Sequence, residues 1–158
     1  MNDMEQAIDF FKLNLSISKE VGQKASKGRA RSCLSRAYVT QDKFEEAEDH
    51  FKQHLVIATE LGDRSGEGLA CGNLGLVYSY QEEFQKALEY GEQFLSIAKE
   101  IGNRDWEGEA YWNLGNAYHN LSDIEQAIDY YKLHLYIVNE MGRREEEQQV
   151  YTCLVSAY

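Results

Sequence analysis

Two arginines on one predicted helix are the clearest candidates for binding chemistry in this sequence. Arg29 and Arg36 lie seven residues apart, which places them on one helix face two turns apart. Guanidinium groups pair with carboxylate or phosphate oxygens through two parallel hydrogen bonds. No acidic residue stands between Glu20 and Asp42, a segment that also contains Lys24, Lys27 and Arg31. The pattern favours an acidic ligand, and a solvated basic face is the alternative.

The histidines and carboxylates do not form a recognisable catalytic or metal-binding pattern. His50 and His54 are spaced to present two ligands from one helix, and Glu46 lies one turn away, but the spacing provides no evident third ligand. The sequence contains no serine elbow, no HExxH motif and no phosphate-binding P-loop. We therefore predict no enzyme activity, no metal and no cofactor.

The overall charge excludes several partner classes. The 158 residues contain 16 basic and 27 acidic side chains, a net charge of −11. Nucleic acids and anionic membranes are therefore poor partners, because both need clustered basic residues. The charge is uneven, since residues 1–43 hold eight basic and five acidic side chains. Three widely spaced cysteines are typical of free thiols in a reducing compartment, which indicates a cytoplasmic location.

A repeat of 40 residues runs through the whole chain and determines which elements position these side chains. Four copies would occupy 160 residues, so a single domain spanning 1–158 leaves no room for a second domain. Three of its columns are Gly22, Gly62, Gly102 and Gly142; Ala7, Ala47, Ala87 and Ala127; and Tyr38, Tyr78, Tyr118 and Tyr158. Ending two residues short of four full repeats suggests a segment of a longer protein.

Each repeat is predicted to contain two helices, named type A and type B in chain order. Apolar residues recur at helical spacing in both halves, and the column glycine can close each type B helix in the left-handed conformation. Asp123 is predicted to cap the helix that follows it. The prediction is an all-α solenoid with a type B helix at 4–21, pairs at 25–61, 65–101 and 105–141, and a type A helix at 145–158.

The helix motifs resemble the tetratricopeptide repeat. The type A signature of an aromatic residue, Leu-Gly and Tyr is present as YWNLGNAY at 111–118, and Ala127 with Tyr131 matches the type B signature. The first repeat departs from it, because Ser35 replaces the glycine. The 40-residue length, with Gly-Asp-Arg at 62–64, resembles Pins/LGN-type modulators of G-protein signalling and long animal arrays of such repeats. The resemblance implies a right-handed superhelix of antiparallel helix pairs.

This resemblance also implies a peptide-binding groove lined by the type A helices on the concave face. Asn73 and Asn113 stand where related domains use asparagine to hold a peptide backbone, and Trp112 is an expected aromatic anchor. Pins/LGN-type domains bind acidic peptides, which agrees with the two arginines. The principal expected groove residues are Arg29, Arg36, Asn73, Leu76, Tyr80, Trp112, Asn113 and Asn116. The other positions expected on the same face are Ser32, Cys33, Thr40, Leu69, Gly72, Glu109 and Asn120, continued in the last half-repeat by Gln149, Thr152, Cys153 and Ser156.

Two other functions stay open from the sequence. The first and last predicted helices each lack a neighbour on one side, so the chain is alternatively a spacer or a head-to-tail self-assembling array. The residues expected at that contact are Phe10, Phe11, Tyr151 and Leu154. The third hypothesis is a peptide sensor, because bacterial pheromone receptors use similar helix pairs to control an output domain.

Overall fold

Eight helices make up the described part of the chain. The computed structural model describes the backbone of residues 3–157 and the side chains of residues 5–143, 147, 148 and 150–155. The helices are α1 (Asp3–Glu20), α2 (Lys24–Val39), α3 (Phe44–Leu61), α4 (Arg64–Tyr80), α5 (Phe84–Ile101), α6 (Arg104–Asn120), α7 (Ile124–Glu140) and α8 (Arg144–Ala157). The all-α prediction is confirmed, and the outer ends of the predicted segments agree with these bounds to within one residue.

The helices stack in chain order as a solenoid of helix pairs. Each helix packs against the helices before and after it, and α4 also touches α6. Short connections between the helices favour antiparallel neighbours. The even-numbered helices α2, α4, α6 and α8 are the predicted type A helices, and the odd-numbered ones are type B. Tyr158 and the side chains of Gln149 and Ser156 lie outside the described residues.

The turns alternate between two left-handed positions. The glycine column ends the type B helices with φ between 65° and 71°, as predicted from its spacing: Gly22, Gly62, Gly102 and Gly142. The turns that follow the type A helices use left-handed residues that are not glycine: Asp42, Glu82 and Ser122, with φ from 56° to 62°. These three left-handed residues were not predicted, because glycine is the residue type from which a left-handed backbone is usually inferred. Asp123 caps α7 as expected, accepting from the Gln126 backbone N–H at 3.2 Å.

The core runs along the solenoid between consecutive helices, and one cluster of buried side chains extends from α1 to α6. In α6, Ala110, Leu114 and Ala117 are buried. A Cβ atom on Gly115 would come within 2.7 Å of the Tyr131 ring, so glycine permits this close approach of α6 and α7. The second repeat differs from the third here. A Cβ atom on Gly75 would meet nothing closer than 3.5 Å, because Gly91 stands where the third repeat has Tyr131.

Candidate functional site

An apolar cavity opens on the face formed by α1, α2 and α4. Its volume is about 500 Å³, and we call it the groove cavity. Aliphatic and aromatic walls come from Phe11, Ala37, Val39 and Leu76, and polar groups come from Arg36, Thr40 and Asn73, with Ala7 and Cys33 completing the lining. Mostly apolar walls with a few polar groups are typical of sites that bind an apolar side chain in a fixed orientation. Five of the residues expected on the groove face therefore lie together: Cys33, Arg36, Thr40, Asn73 and Leu76.

Arg36 and Asn73 are polar groups at the groove cavity whose chemistry suits contact with a polar ligand. Arg36 is exposed, and it takes part in none of the ion pairs found among the described side chains. The Asn73 amide nitrogen donates to the Leu69 carbonyl oxygen at 2.6 Å. This contact orients the amide on the helix and uses one of its two N–H donors. The amide oxygen is the group suited to accept a ligand N–H.

Two principal groove residues predicted in the first two repeats, Arg29 and Tyr80, lie outside the groove cavity. Arg29 is exposed on α2 and donates to the Ser26 hydroxyl at 3.3 Å. Tyr80 is exposed and stacks on Phe44, with 5.1 Å between ring centroids. Neither side chain lines the cavity, although Arg29 shares a helix face with Arg36. The difference arises because α1 and α4 form the cavity walls only beside the second half of α2.

The predicted groove residues of the third repeat contact α7. The Trp112 ring lies 5.6 Å from the Tyr131 ring and 5.3 Å from the His134 ring, measured between centroids. Asn116 accepts a hydrogen bond from the Tyr131 hydroxyl at 2.9 Å. Both side chains therefore hold α6 against α7. Trp112 also lines a second cavity of about 460 Å³ between these helices, whereas Asn113 is half-buried and lines neither cavity.

Cys71, His50 and His54 lie among side chains of the helix packing rather than in a cluster suited to chemistry. Burial raises the pKa of the Cys71 thiol to about 11, which keeps it protonated at neutral pH. The His50 Nδ1 lies 3.0 Å from the Arg31 guanidinium, and the buried His54 Nδ1 has no hydrogen-bond partner. Across the described residues, no three His, Cys, Asp or Glu side chains are grouped as a metal site.

The residues predicted for self-association divide into two pairs. Phe10 and Tyr151 are exposed, with 61% and 47% of their surfaces accessible. Phe11 and Leu154 instead pack against the core inside the chain. The outer face of α1 exposes two further apolar side chains at helical spacing, Leu13 and Ile17, and Val21 is exposed in the turn that follows.

The last type A helix, α8, lacks the glycines at which earlier type A helices pack against their type B partners. In the three earlier type A helices, one position is always glycine, and a Cβ there would come within 2.9–3.2 Å of an isoleucine on the paired helix: Gly28, Gly68 and Gly108. In α8 this position is Gln148, and Val155 occupies the column of Gly75 and Gly115. Both larger side chains oppose packing of a further type B helix in the usual register.

The geometry agrees with the family comparisons. Two family models described as tetratricopeptide repeat match residues 67–139 and 32–65. This chain is a tetratricopeptide repeat protein. Assignment to the Pins/LGN-type subclass stays a prediction. No curated protein matches the sequence. None of the described helices is long and apolar enough to cross a membrane.

Solved structures share the fold of this chain, and two of the three that follow are described as containing tetratricopeptide repeats. BtubC (BKLC) from P. vanneervenii is 23% identical with a TM-score of 0.82, over 88% of this chain and 58% of that one. The tetratricopeptide repeat domain of Arabidopsis FLU is 24% identical with a TM-score of 0.72, over 74% and 98%. A signal transduction ATPase with a tetratricopeptide repeat sensor from Pyrococcus horikoshii is 19% identical with a TM-score of 0.90, over 99% and 24%. At these identities the likeness shows the fold alone.

Some groove residues could not be predicted from the repeat columns. Phe11 belongs to the column of Phe51 and Tyr131, which are core residues, and it was predicted to mediate self-association. Val39 is the last residue of α2, where column positions do not indicate which face is accessible, whereas Thr40, directly after it, was expected on the groove face. These residues line the cavity together with Ala7 because α1 packs beside α2, a contact between helices that the repeat columns do not indicate.

Proposed function

We propose that this protein is an interaction scaffold whose groove cavity binds a short segment of a partner protein. The apolar cavity of about 500 Å³ beside Arg36 and Asn73 is the observation that carries this proposal. Tetratricopeptide repeats are protein-interaction modules, which supports a protein partner. The proposed ligand inserts one aliphatic or aromatic side chain into the cavity and places an acidic residue beside it.

The apolar contact supplies most of the proposed affinity. Complete burial of a leucine-sized side chain stabilises a complex by about 1.5–3 kcal/mol. The walls provided by Phe11, Val39 and Leu76 suit such a group. The Asn73 amide oxygen accepts a backbone N–H of the ligand, which fixes its position without reading its sequence.

The acidic preference follows from where the positive charge lies. Residues 1–43 carry a net charge of +3, whereas residues 44–158 carry −14. An acidic segment is therefore attracted to the end of the molecule that contains Arg36 and is repelled elsewhere. Arg36 pairs with a ligand carboxylate at the mouth of the groove cavity.

A peptide-display selection tests this proposal. A random library is selected for binding to the wild-type protein and, in parallel, to Arg36→Glu and to Arg29→Glu. The second variant carries the same charge change on the same helix, outside the groove cavity. We expect the wild-type and Arg29→Glu pools to share a motif with one large apolar residue flanked by Asp or Glu, and the Arg36→Glu pool to lack it. Identical motifs in all three pools would contradict the proposal.

Self-assembly is a second candidate function. The exposed apolar stripe of α1 that includes Phe10, Leu13 and Ile17 favours it, whereas Gln148 and Val155 oppose the usual pairing with α8. Sedimentation velocity over a range of protein concentrations tests it. A larger species that disappears in Phe10→Asp would support self-assembly, and a single monomeric species at every concentration would exclude it. The sensor function remains a hypothesis.

A further inference from the structure

The second and third repeats carry the same ion-pair network on the side of the solenoid away from the groove cavity. In the second repeat, Arg64 contacts Glu67 of its own helix and Glu100 of α5. The corresponding residues of the third repeat make the same contacts: Arg104, Glu107 and Glu140. The inner glutamates, Glu67 and Glu107, are only 12% and 9% exposed. Each network therefore places a carboxylate inside the crevice between two paired helices.

The first repeat reverses the charge of this network. Lys24 takes the position of the arginine and pairs with Glu60 at 3.0 Å. Lys27 stands where the other two repeats have the inner glutamate, and it is half-buried. One turn further along α2, Arg31 stands in the column of Cys71. Three cationic side chains therefore face the crevice where the second repeat has one cation and one inner carboxylate.

Arg31 is a buried cation that forms no ion pair in the described part of the chain. It is 6% exposed, and its Nε atom has no hydrogen-bond partner. One terminal nitrogen lies 3.0 Å from the His50 Nδ1 atom. Burial lowers the pKa of Arg31, and the charge of Asp49 opposes that shift. Burying a charge without a paired opposite charge is costly, so this position is suited to an incoming anion.

The crevice itself is preserved between the first two repeats while its charge changes. In the first repeat it encloses about 210 Å³ and is lined by Lys24, Lys27, Arg31 and Gln53; we call it the basic crevice. The corresponding crevice of the second repeat encloses about 250 Å³ and is lined at the same positions by Arg64, Glu67, Cys71 and Gln93. The second repeat is therefore an internal control of similar size and opposite inner charge.

Helical spacing separates the basic crevice from the groove cavity. Lys24, Lys27 and Arg31 are spaced three and four residues apart, so they share one face of α2. At 100° per residue, that face lies opposite the one that carries Arg29 and Arg36. A ligand in the basic crevice and a peptide in the groove cavity would therefore occupy opposite sides of α2.

We propose that the basic crevice binds the phosphate group of a phosphorylated serine or threonine on a partner protein. A phosphate monoester carries up to two negative charges and three acceptor oxygens, which matches the donors of Lys24, Lys27 and Arg31. Gln53 lines the same wall; one N–H of its amide donates to the Asp49 carboxylate at 2.5 Å, and the second N–H is the one that can reach a ligand. The Arg31 Nε atom gains the hydrogen-bond partner that it lacks. Glu60 at the crevice edge stays paired with Lys24, which leaves Lys27 and Arg31 as the principal ligands.

An exchange of residues between repeats tests this site. The loss variant, Lys27→Glu with Arg31→Cys, carries the residues of the second repeat. The gain variant, Glu67→Lys with Cys71→Arg, places the basic residues in the second repeat. Circular dichroism and thermal unfolding check that both fold. Each protein is titrated with inorganic phosphate and with a phosphoserine peptide at constant ionic strength, and backbone amide NMR shifts locate the binding.

We expect saturable amide shifts in α2 and α3 of the wild type. The loss variant should bind at least about tenfold more weakly, and the gain variant should show a second set of shifted amides in α4 and α5. The phosphopeptide should bind more tightly than inorganic phosphate, and its unphosphorylated form should produce no shifts in this region. Shifts that the loss variant retains, or that chloride reproduces, would overturn the site. Equal affinity for phosphate and phosphopeptide would overturn the assignment to a phosphorylated partner. Because the groove cavity is unchanged in both variants, failure here leaves the proposed peptide binding untouched.

Discussion

The indole ring of Trp106 lies directly against Gly68, so that a Cβ atom on this glycine would come within 2.8 Å of the indole Cζ3 atom. The same Cβ atom would come within 2.9 Å of Ile97 Cγ2. One glycine of α4 therefore meets side chains of α5 and α6. This contact joins the second repeat to the third.

Replacing Gly68 with alanine should weaken the fold through overpacking. We expect Gly68→Ala to lower the free energy of unfolding by about 1–3 kcal/mol, because neither the indole nor the isoleucine can retreat freely. Gly75→Ala on the same helix is the matched control, since its nearest neighbour would be at 3.5 Å. The control should be neutral or more stable, as alanine favours helix. Urea unfolding measures both, and equal stability of the two variants would contradict this packing.

The buried His54 should make the protein less stable in mild acid. Burial lowers the pKa of His54 in the folded state, whereas its unfolded pKa is about 6.5. Below that pH the unfolded chain binds a proton that the folded chain excludes, so stability falls as the pH drops from about 7.5 towards 5.5. Burial, with a contribution from Arg31, also lowers the pKa of His50, which adds to the same loss.

His54→Phe separates the contribution of His54 from that of His50. Phe94 occupies the same column in the second repeat, so an aromatic ring is compatible with this position. The variant should lose part of its stability change between pH 7.5 and 5.5 and keep the part that belongs to His50. Denaturant unfolding at several pH values measures it. An unchanged pH dependence would show that His54 is not buried in its neutral form.

The turn at Glu82 offers a stabilising substitution. Glu82 has φ of 61°, a left-handed backbone that costs less for glycine than for other residues. We expect Glu82→Gly to raise the free energy of unfolding by about 0.5–1 kcal/mol, after the larger entropy loss of glycine on folding is included. Gly62→Ala is the opposite change at φ of 65° and should destabilise. Thermal unfolding measures both, and a less stable Glu82→Gly would refute the left-handed turn.

The period of 40 residues predicted the helices, the glycine turns and the core positions. It did not predict how the side-chain contacts differ between repeats, because an argument from repeat positions assigns the same role to every equivalent residue. Trp112 shows the limit: helical spacing places it near the groove, but Tyr131 and His134 stand within reach and hold it against α7. Arg29 and Arg36 share a helix face, and only Arg36 lines the groove cavity, since the walls come from other helices.

The charge reversal in the first repeat is readable from the sequence, but its consequence is not. Lys27 and Arg31 are visible as basic residues in an acid-free segment. Their position opposite the groove arginines follows from helical spacing. Only the packing of α2 against α3 shows that Arg31 is buried, because burial depends on residues distant in the chain.

The most direct test of the proposed function is the affinity of one unphosphorylated peptide, taken from the wild-type selection, for three proteins. Fluorescence anisotropy gives the dissociation constant for the wild type, Arg36→Glu and Arg29→Glu. We predict at least about tenfold weaker binding to Arg36→Glu, because a charge-assisted hydrogen bond is replaced by repulsion, and nearly wild-type binding to Arg29→Glu. Equal affinities for all three proteins, or equal losses in both variants, would contradict binding in the groove cavity.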